Sequence, residues 1–487
     1  MMKNITQVIS LLFTLLFLVP ASSFAATRSL YFGLSGSDVV VLQNQLIAKG
    51  FLSAGKNTGY FGTLTQTAVQ KFQCANSIVC SVATAGYGVY GPMTRAAMLS
   101  GSGGASVVTT SVTVTPKSPL EFSGWIPYWR TVTGTNDVLP HLSQLTSVMP
   151  FGYTVKDDGT LSDTAKLSEQ SWKSFIAAAK NNKVRVVPTV MWGNGEKIHE
   201  ILSNGTTRVA LEDEIAALVK ENGFDGIDID FEGKKHETKD YFSTFLRGLY
   251  QRMGNKWVYC TIESRTPVED RFSAGAIIPA DATDYANDYV EMNKYCDRVE
   301  IMAYDQGTVD VRLNKARTAP YAPNADLEWV ESLVTLASKS IAKNKLVIGV
   351  PTYGYEYSVT PALGGGYTYK VLWPFNVNYG LDIASKLHIT PTRNNAGEMG
   401  FTYDPNLLNA TAPTGSETTE TQQTVASSTV VQNSGSQVNV SSFNYLSWSD
   451  AKAIADKVAL ARKLGVRGVA VFKFDGGEDP AMWGVLK

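Results

Sequence analysis

The chain has 487 residues, of which 44% are hydrophobic and 18% are charged, and this length predicts more than one domain. The formal net charge is -1, so no strong overall field draws the protein to nucleic acid or to an anionic membrane surface. The four histidines are scattered without metal-ligand spacing, so the sequence predicts no metal and no other cofactor. We expect a monomer.

Residues 1–25 have the pattern of a secretory signal peptide. Lys3 supplies a positive charge, the apolar run VISLLFTLLFLVPA follows, and SFA ends the segment as a small-x-small cleavage site. The apolar run is shorter than the roughly 20 residues that a membrane span needs, so cleavage is favoured over an uncleaved anchor, which stays open. The sequence therefore predicts an exported protein.

Residues 28–100 are predicted to form a small helical module. GLSGSDVVVLQNQLIAKGFL has apolar residues near helical spacing, and GYFGTLTQTAV is repeated about 30 residues later as GVYGPMTRAAM. The module resembles the three-helix bacterial peptidoglycan-binding domain, which implies a role in holding a hydrolase on cell-wall polymer; a helical spacer is the alternative. The matching residues are Gly33, Gly36, Val39, Leu42, Gln43, Leu46, Gly50, Gly59, Phe61, Gly62, Thr65, Ala68, Val69, Phe72, Gln73, Gly88, Gly91 and Thr94.

The four cysteines fit an exported protein without requiring disulfides. Cys74 and Cys80 lie in one short loop and are close enough in sequence to pair. Cys260 lies within an apolar strand and Cys296 just before another, so we interpret both as buried small residues and leave their pairing open. Residues 101–118 are small and polar and are predicted to be a flexible linker.

Residues 119–487 alternate strand-like and helix-like segments, which is typical of a parallel sheet. The eight predicted strands are SGWIPYW, TSVMPFGY, RVVPTVMW, GIDIDFE, WVYCTIES, RVEIMAY, LVIGVPTYG and GVAVFKF. Eight such units predict an α/β fold of the (β/α)8 TIM barrel type, with a doubly wound sheet as the alternative. Residues 356–447 are too long for a loop and predict an α+β insertion after strand 7. Within it, residues 409–442 are predicted to be disordered, and GFTYD and FNYLSW on either side are predicted to pair.

The fourth strand carries three acids on alternate positions, Asp228, Asp230 and Glu232. Side chains alternate along a strand, so these acids share the face that points into a barrel, while the intervening apolar residues face the helices. Burial and the proximity of like charges raise carboxyl pKa values. Glu232 ends the strand, at the edge where barrel enzymes hold their active sites, and is predicted to keep a proton and act as a general acid. A metal-binding acid cluster or a salt-bridge network is the alternative.

Three segments make a resemblance to glycoside hydrolase family 18, the chitinase family. They are DGIDIDFE (225–232), MAYD (302–305) and GVPTYGY (349–355), and an insertion after strand 7 is also a feature of that family. The resemblance implies a retaining, substrate-assisted mechanism, in which Glu232 protonates the glycosidic oxygen. The substrate's N-acetyl oxygen then attacks the anomeric carbon, while Asp230 orients that acetamide and Asp228 tunes Asp230 from below.

The resemblance assigns further residues to the substrate. Tyr304 hydrogen-bonds the acetamide, with Asp305 beside it, and Tyr353 of the seventh strand is a further binding candidate. Asp225 anchors the start of the acidic strand and is included among the binding residues. No residue in this set implies a metal ion.

Two segments depart from the family pattern. The family's Trp on the eighth strand is replaced by Phe472, and the usual Ser-x-Gly-Gly of the third strand is replaced by TVMWGNG. Trp192 and Trp129 are candidate sugar contacts, for which a buried structural role is the alternative. The same pair of alternatives applies to Trp125 and Tyr128, and for Glu263 and Arg265 the alternative is an ion pair.

The leading hypothesis is an exported cell-wall glycosidase that cleaves β-1,4 bonds at N-acetylglucosamine in peptidoglycan. A mechanism that uses an N-acetyl group requires a 2-acetamido sugar, which both peptidoglycan and chitin provide. The segment VPTVMWGNGEKIHEIL is more similar to the cell-wall and spore-cortex branch of the family. The alternatives are a chitinase that acts on chitin oligomers and an inactive glycan-binding wall lectin.

Overall fold

The computed structural model describes residues 30–81, 86–100, 120–362, 365–408 and 442–487. They fall into two compact units, which divide between residues 105 and 106. The predicted signal peptide (1–25), linker (101–118) and polar tract (409–442, except Ser442) lie outside the described residues. Across the ranges that the structure describes, none of the helices has the length and apolarity that a bilayer crossing requires.

The first unit packs three helices around one apolar core. They are α1 (Ser37–Ala48), α2 (Thr63–Ala75) and α3 (Pro92–Ser100). Leu42 and Leu46, four residues apart on α1, are fully buried and belong to the same core as Phe72 of α2, as the helical spacing predicts. A disulfide joins Cys74 to Cys80 at the end of α2.

Two buried glutamines explain the internal repeat of this unit. The Gln43 side chain accepts the backbone N–H of Gly59 at 2.8 Å, and the Gln73 side chain accepts that of Gly88 at 2.8 Å. Each glutamine also donates to a threonine hydroxyl in the first turn of the following helix, at 2.8 and 2.9 Å. The repeated glycine turns are therefore held by equivalent amide bonds, which satisfy buried polar groups that would otherwise be costly.

The second unit contains all the strands that the structure describes. In chain order they are β1 (Glu121–Pro127), β2 (Ser147–Val155), β3 (Leu161–Asp163), β4 (Arg185–Val186), β5 (Thr189–Trp192), β6 (Gly226–Phe231), β7 (Trp257–Ile262), β8 (Arg298–Ile301), β9 (Leu346–Pro351), β10 (Tyr353–Pro361), β11 (Tyr367–Asn376), β12 (Thr392–Arg393), β13 (Met399–Tyr403), β14 (Phe443–Trp448) and β15 (Gly468–Phe472).

Eight parallel strands close into a (β/α)8 barrel. Their order is β1-β2-β5-β6-β7-β8-β9-β15, and β1 pairs with both β2 and β15. This closure excludes the doubly wound sheet and confirms the predicted barrel. The third predicted strand is divided into β4 and β5 around Pro188, because proline has no N–H to donate to the ladder.

Helices cover the outside of the barrel and one lies in the insertion. They are α4 (Thr131–Val138), α5 (Gln170–Asn181), α6 (Gly195–Ser203), α7 (Gly205–Glu221), α8 (Lys239–Met253), α9 (Val268–Arg271), α10 (Tyr289–Tyr295), α11 (Val311–Ala316), α12 (Leu327–Ala337), α13 (Val377–Lys386) and α14 (Ala451–Leu464). Local sequence sets their ends: the Asp450 side chain accepts the N–H of Ala453 at 3.0 Å and caps α14, which ends at Gly465 with φ 71°.

The amino-terminal end of the barrel is closed by a buried ionic cluster. Glu121 accepts two hydrogen bonds from Arg298, at 2.7 and 2.8 Å, and one from Arg467 at 2.7 Å. Burial favours the neutral form of Glu121, but the bonds and charge of Arg298 outweigh it and hold the pKa of that carboxyl below its usual range. The polar groups at this end are therefore used for structural closure.

The α+β insertion follows β9 and forms its own five-stranded sheet, in the order β11-β10-β14-β13-β12, with α13 packed on it. The predicted pairing of GFTYD with FNYLSW is confirmed, because β13 and β14 are antiparallel neighbours with Phe401 opposite Leu446. Phe401, Leu446 and Trp448 are buried in the core of this sheet. The insertion is thus a folded layer next to the carboxyl edge of the barrel, at which β9 ends.

Candidate active site

Strand β6 places its acids and its apolar residues on opposite faces, as the alternation predicts. Phe231 points outward, and its ring stacks on Phe245 of α8 with centroids 5.4 Å apart. Asp228 and Asp230 point into the barrel and are 0% and 3% exposed. Glu232 follows the last residue of β6, and its backbone N–H donates to the carbonyl of Trp192 at 2.8 Å.

Asp228 is the lowest acid of this ladder and is fully hydrogen-bonded. Its Oδ2 accepts from the indole N–H of Trp125 at 3.0 Å and from the hydroxyl of Thr189 at 2.8 Å. Its Oδ1 accepts from the hydroxyl of Thr261 at 2.8 Å. Complete burial outweighs these donors and raises the pKa of Asp228. Trp125, a candidate sugar contact in the sequence, therefore supports the ladder from within the barrel.

Asp230 is the middle acid of this ladder, and its Oδ1 is buried. Among the described residues, no group hydrogen-bonds the buried Oδ1 of Asp230. Burial first, and then the charges of Glu232 and Asp228, raise the pKa of Asp230 well above its usual range. A buried polar atom without a partner is costly, so this oxygen is suited to a ligand.

The residues after Glu232 are held by the half-buried carboxylate of Glu263, which directly follows the neighbouring strand β7. Gly233, with φ 64°, donates its N–H to Glu263 at 2.9 Å, and Glu263 also accepts from Asn287 at 2.8 Å and pairs with Lys234 at 3.5 Å. Burial opposes ionisation of Glu263, but Lys234 and these donors prevail and lower its pKa. Glu263 therefore shapes the loop that carries Glu232. This structural role is the ion-pair alternative that the sequence left open for Glu263, and its partner is Lys234.

Arg265 is held in a structural position. Its guanidinium lies between the rings of Tyr285 and Tyr289, at 3.8 and 3.9 Å from their centroids, and donates to the carbonyl of Asn287 at 2.7 Å. Such double stacking fixes the side chain. Arg265 thus supports the segment that carries Asn287, the partner of Glu263.

Tyr304 and Asp305 lie just beyond β8, which ends at Ile301, so the motif MAYD is a rim segment and the sixth strand is shorter than predicted. Burial, followed by the charges of Asp230 and Asp305, raises the pKa of Tyr304 well above its usual range, which keeps the phenol a hydrogen-bond donor. Asp305 has φ 59°, in the left-handed region that non-glycine residues seldom adopt. These two residues are therefore held in a special conformation beside the acidic ladder.

Two tyrosines of the insertion bind Asp305. Its Oδ1 accepts from the hydroxyls of Tyr353 at 2.5 Å and Tyr355 at 2.9 Å. Burial outweighs these two donors and raises the pKa of Asp305. Tyr353, predicted to contact substrate, thus uses its hydroxyl on Asp305. Tyr355 was missed by the sequence analysis, although the alternation of YGYEY places it on the same strand face as Tyr353.

Phe472 lies in the middle of this aromatic group, at the place predicted for the family's tryptophan. Its ring stacks on Tyr304 at 5.4 Å with an interplanar angle of 14°, and it makes edge contacts with Trp125 and Tyr353 at 6.0 Å. Phe472 is only partly buried. It therefore provides an apolar floor next to the acids, with a smaller ring than tryptophan.

Three other predicted contacts have different outcomes. The structure places Asp225 before the first residue of β6, at the opposite end from Glu232, where its carboxylate accepts the N–H of Val186 at 2.9 Å. Contrary to its inclusion among the binding residues, Asp225 is structural, since it joins neighbouring strands. Trp192 also departs from the expectation: it is 3% exposed and packs on outward-facing Phe231. Trp129 is 40% exposed, next to the end of β1, and stays a candidate contact.

The sequence analysis also missed a fourth interior acid, Glu300 on β8. Glu300 is 0% exposed, and burial followed by the charge of Asp228 raises its pKa well above the usual range. Ser123 donates to it at 3.4 Å. In RVEIMAY, Glu300 lies between the apolar residues Val299 and Ile301, and this alternation could have predicted that it points into the barrel. No set of three or more His, Cys, Asp or Glu residues in the described ranges is arranged to hold a metal ion.

Cys260 and Cys296 form a disulfide between β7 and the residue before Asp297, with their Cα atoms 5.9 Å apart. The predicted burial of both residues is confirmed, since each is 0% exposed. Their pairing, which the sequence left open, depends on the lateral order of β7 and β8 and not on local sequence. Cys260 lies next to Thr261, a donor to Asp228. The disulfide therefore ties together two strands that carry interior acids or their partners.

A closed barrel with a ladder of interior acids, a buried tyrosine and an aromatic floor at its carboxyl edge defines a barrel glycosidase. The family model described as "Glycosyl hydrolases family 18" matches residues 122–477, and the chain belongs to this family. A second model, described as "Putative peptidoglycan binding domain", matches residues 35–98, which cover the three-helix unit.

Individual relatives are distant. The chain is 25% identical over 173 residues to "Uncharacterized glycosylase YvbX" of Bacillus subtilis, covering 34% of this chain and 44% of that protein. The chain thus spans less than half the length of this relative. The spore cortex-lytic enzyme SleL of Bacillus megaterium matches with a TM-score of 0.54 at 17% identity, over 94% of this chain and 85% of that one. A class V chitinase of Pseudomonas fluorescens matches with a TM-score of 0.55 at 19% identity, over 76% and 98%. These structural matches show the fold.

Proposed function

We propose that this protein is a cell-wall glycosidase that cleaves β-1,4 bonds at N-acetylglucosamine residues of peptidoglycan. The observation that carries the proposal is the acidic ladder of β6, in which Asp230, below the half-buried Glu232, has a buried oxygen that no group in the described ranges hydrogen-bonds. An acid at the edge of the barrel and a polar group with no protein partner beneath it are what protonation of a leaving group and binding of an acetamide require.

In the first step of the proposed reaction, Glu232 and Asp230 have different roles. Glu232 donates its proton to the glycosidic oxygen as the bond to the anomeric carbon breaks. The carbonyl oxygen of the substrate's own 2-acetamido group attacks that carbon and forms an oxazolinium, while Asp230 accepts the acetamide N–H and stabilises its positive charge. Burial and the charges of Glu232 and Asp228 raise the pKa of Asp230, and the positive charge that develops on the acetamide favours the Asp230 anion in turn, so the two charges stabilise each other in the transition state.

The second step restores the enzyme. Glu232, now ionised, removes a proton from water as the water attacks the oxazolinium, and the product keeps the original anomeric configuration. Asp228 stays hydrogen-bonded to Trp125, Thr189 and Thr261 throughout, so its negative charge is fixed beneath Asp230. A preorganised charge of this kind costs no reorganisation during the reaction.

Tyr304 and Phe472 complete the proposed sugar site. The protonated phenol of Tyr304 donates to the acetamide carbonyl, and the partly exposed ring of Phe472 lies under the sugar. Aromatic rings next to carbohydrate combine apolar contact with directed polar groups. Exposed Trp129 at the rim is placed to extend this contact to a neighbouring sugar.

Peptidoglycan is favoured over chitin as the substrate by two observations. Both polymers carry 2-acetamido sugars, but the chain has a domain that matches the peptidoglycan-binding family at residues 35–98. The structural relative SleL is named a spore cortex-lytic enzyme, which is a cell-wall activity. We propose on the same grounds that the protein works outside the cytoplasm at the cell wall, reached through the signal peptide predicted at residues 1–25.

Digestion of purified peptidoglycan and of chitin oligomers, followed by mass spectrometry of the released ends, tests this function. The wild-type protein is expected to release fragments with N-acetylglucosamine at the new reducing end. Glu232→Gln is expected to bind but to lose at least about 100-fold in rate, because it cannot donate the proton. Glu237→Gln, an exposed acid on the same loop, is the matched control and keeps full activity.

Other outcomes would assign a different function, or a different general acid, to this protein. Cleavage of chitin oligomers without cleavage of peptidoglycan would reassign the enzyme as a chitinase. Retention on insoluble cell wall without any released product would favour the hypothesis of an inactive glycan-binding lectin. Full activity of the Glu232→Gln variant would mean that the general acid is another residue.

A further inference from the structure

Besides the two tyrosines that bind Asp305, the insertion contacts the rim of the barrel through a buried carboxylate, Glu398. This residue precedes β13, is 0% exposed, and accepts the backbone N–H groups of Asn324 at 3.0 Å and Ala325 at 2.6 Å. Its remaining capacity is used by the hydroxyl of Ser447, which donates at 2.6 Å. Glu398 therefore holds the barrel segment before α12, and its charge is satisfied largely by backbone groups.

The side chain of Asn324 connects the segment that Glu398 binds to the active site. Its Oδ1 accepts the backbone N–H of Asp305 at 2.8 Å, and its Nδ2 donates to the carbonyl of Tyr353 at 3.0 Å. The backbone carbonyl of Asn324 also accepts the N–H of Gln306 at 2.9 Å. Asn324 thus binds the backbone of Asp305 and Gln306, and also the strand from which Tyr353 donates to the Asp305 carboxylate.

Asp305 needs such support because of its backbone conformation. A non-glycine residue at φ 59° is in a sparsely populated conformation that persists only where the surroundings determine it. Its carboxylate is fixed by Tyr353 and Tyr355, and its N–H by Asn324. Any relaxation of Asp305 moves Tyr304, the preceding residue, relative to the ladder.

We propose that Glu398 is a positioning residue for catalysis, acting through Asn324 on Asp305 and Tyr304. This inference rests on the function proposed above, because it assigns Tyr304 a role in the chemistry. Loss of the Glu398 carboxylate leaves two buried N–H groups facing an amide in place of an anion, and the segment of Asn324 shifts. A misplacement of a reacting group by about 1 Å costs on the order of 100-fold in rate.

The insertion contains a matched control in Glu356. It is also 0% exposed, and its carboxylate accepts from Tyr379, Tyr403 and Asn444 at 2.6 to 2.7 Å. All three donors belong to the insertion itself. Glu356 follows Tyr355 on β10, but its side chain makes none of the bonds of Glu398 and Asn324, so Glu356→Gln perturbs the same layer and leaves the contact of Asn324 with Asp305 in place.

The experiment measures kcat and KM on soluble N-acetylglucosamine oligomers for the wild type, Glu398→Gln and Glu356→Gln, with thermal unfolding of each. Glu398→Gln is expected to lower kcat by about 10- to 100-fold with a KM change below about threefold. Glu356→Gln is expected to keep kcat within about twofold of the wild type while losing a similar amount in Tm. Should Glu398→Gln not fold, Asn324→Leu breaks the same chain of contacts at its other end, with the same expected loss of kcat.

Equal losses of kcat in the Glu398 and Glu356 variants, or none in the Glu398 variant, would overturn the inference while leaving the proposed function intact. An inactive wild-type protein would overturn the proposed function, and the positioning claim is then decided by crystal structures. Displacement of Asp305 and Tyr304 in Glu398→Gln but not in Glu356→Gln supports it; unchanged positions in both refute it.

Discussion

Tyr304→Phe removes a single oxygen from the proposed site and therefore isolates one hydrogen bond. The ring that remains keeps its stacking on Phe472, at 5.4 Å and 14°, and its edge contact with Tyr353 at 6.4 Å. Tyr304 is 6% exposed, so the substitution opens little new surface. The free energy of unfolding is therefore expected to change by less than about 1 kcal/mol.

The expected loss of activity is much larger than this change in stability. A hydrogen bond to a group that carries charge is worth about 1.5 to 3 kcal/mol, and the charge on the acetamide develops only in the transition state. Since about 1.4 kcal/mol corresponds to a factor of ten, kcat/KM should fall by about 10- to 150-fold. Most of that loss should appear in kcat, because the ground-state acetamide is neutral.

Steady-state hydrolysis of a chromogenic N-acetylglucosamine oligomer, with thermal unfolding of the same samples, measures both quantities. Tyr259→Phe is the matched control, since Tyr259 is an interior tyrosine of the same barrel whose hydroxyl donates to Ser147 at 3.4 Å. This control should keep kcat within about twofold of the wild type. A Tyr304→Phe enzyme with unchanged kcat, or one whose activity falls only in proportion to its loss of folded protein, would refute the assigned role.

Three further predictions concern pH, the disulfides and the helical unit. The pKa of Asp230 is higher in the folded protein than in the unfolded chain, so ionised Asp230 destabilises the fold above the ordinary Asp pKa of about 4. Asp230→Asn should therefore raise Tm at neutral pH, give a smaller increase at lower pH, and abolish turnover. Cys260→Ala with Cys296→Ala opens a loop of 36 residues and should lower the free energy of unfolding by about 4 kcal/mol in denaturant titrations, against about 2 kcal/mol for the six-residue loop of the first unit. Deletion of residues 28–100 should reduce sedimentation with insoluble peptidoglycan and leave hydrolysis of short soluble oligomers unchanged; equal loss of both would contradict a separate binding role.

Much of the fold was accessible from local sequence. All eight predicted barrel strands are present, because buried parallel strands are near-continuous apolar runs bounded by helical segments. The pairing of β13 with β14 across a long polar tract was predicted from two aromatic segments of strand character. The inward face of Asp228 and Asp230 followed from the period of two along β6.

Other features were inaccessible because they depend on neighbours that are far apart in the chain. Trp192 faces outward because it pairs with Phe231 on the neighbouring strand. Asp225 has a structural position because its carboxylate accepts the N–H of Val186. The contact of Glu398 with Asn324 joins residues 74 positions apart. No local pattern encodes such contacts, because each needs the lateral order of strands or the docking of the insertion.

Local sequence was enough to predict that a strand with three acids on one face ends at the carboxyl edge of an eight-unit barrel, since side-chain alternation and apolar periodicity are local properties of the chain. Which groups meet that ladder depends on the tertiary structure. Trp125, Thr189 and Thr261 come from three other strands to bind Asp228, and Tyr304, on a loop beyond a fourth, lies near enough to Asp230 for that charge to raise the pKa of its phenol. Closure of the barrel brings these strands together, and burial inside it then raises the pKa values of Asp228 and Asp230 above those of the same residues in water.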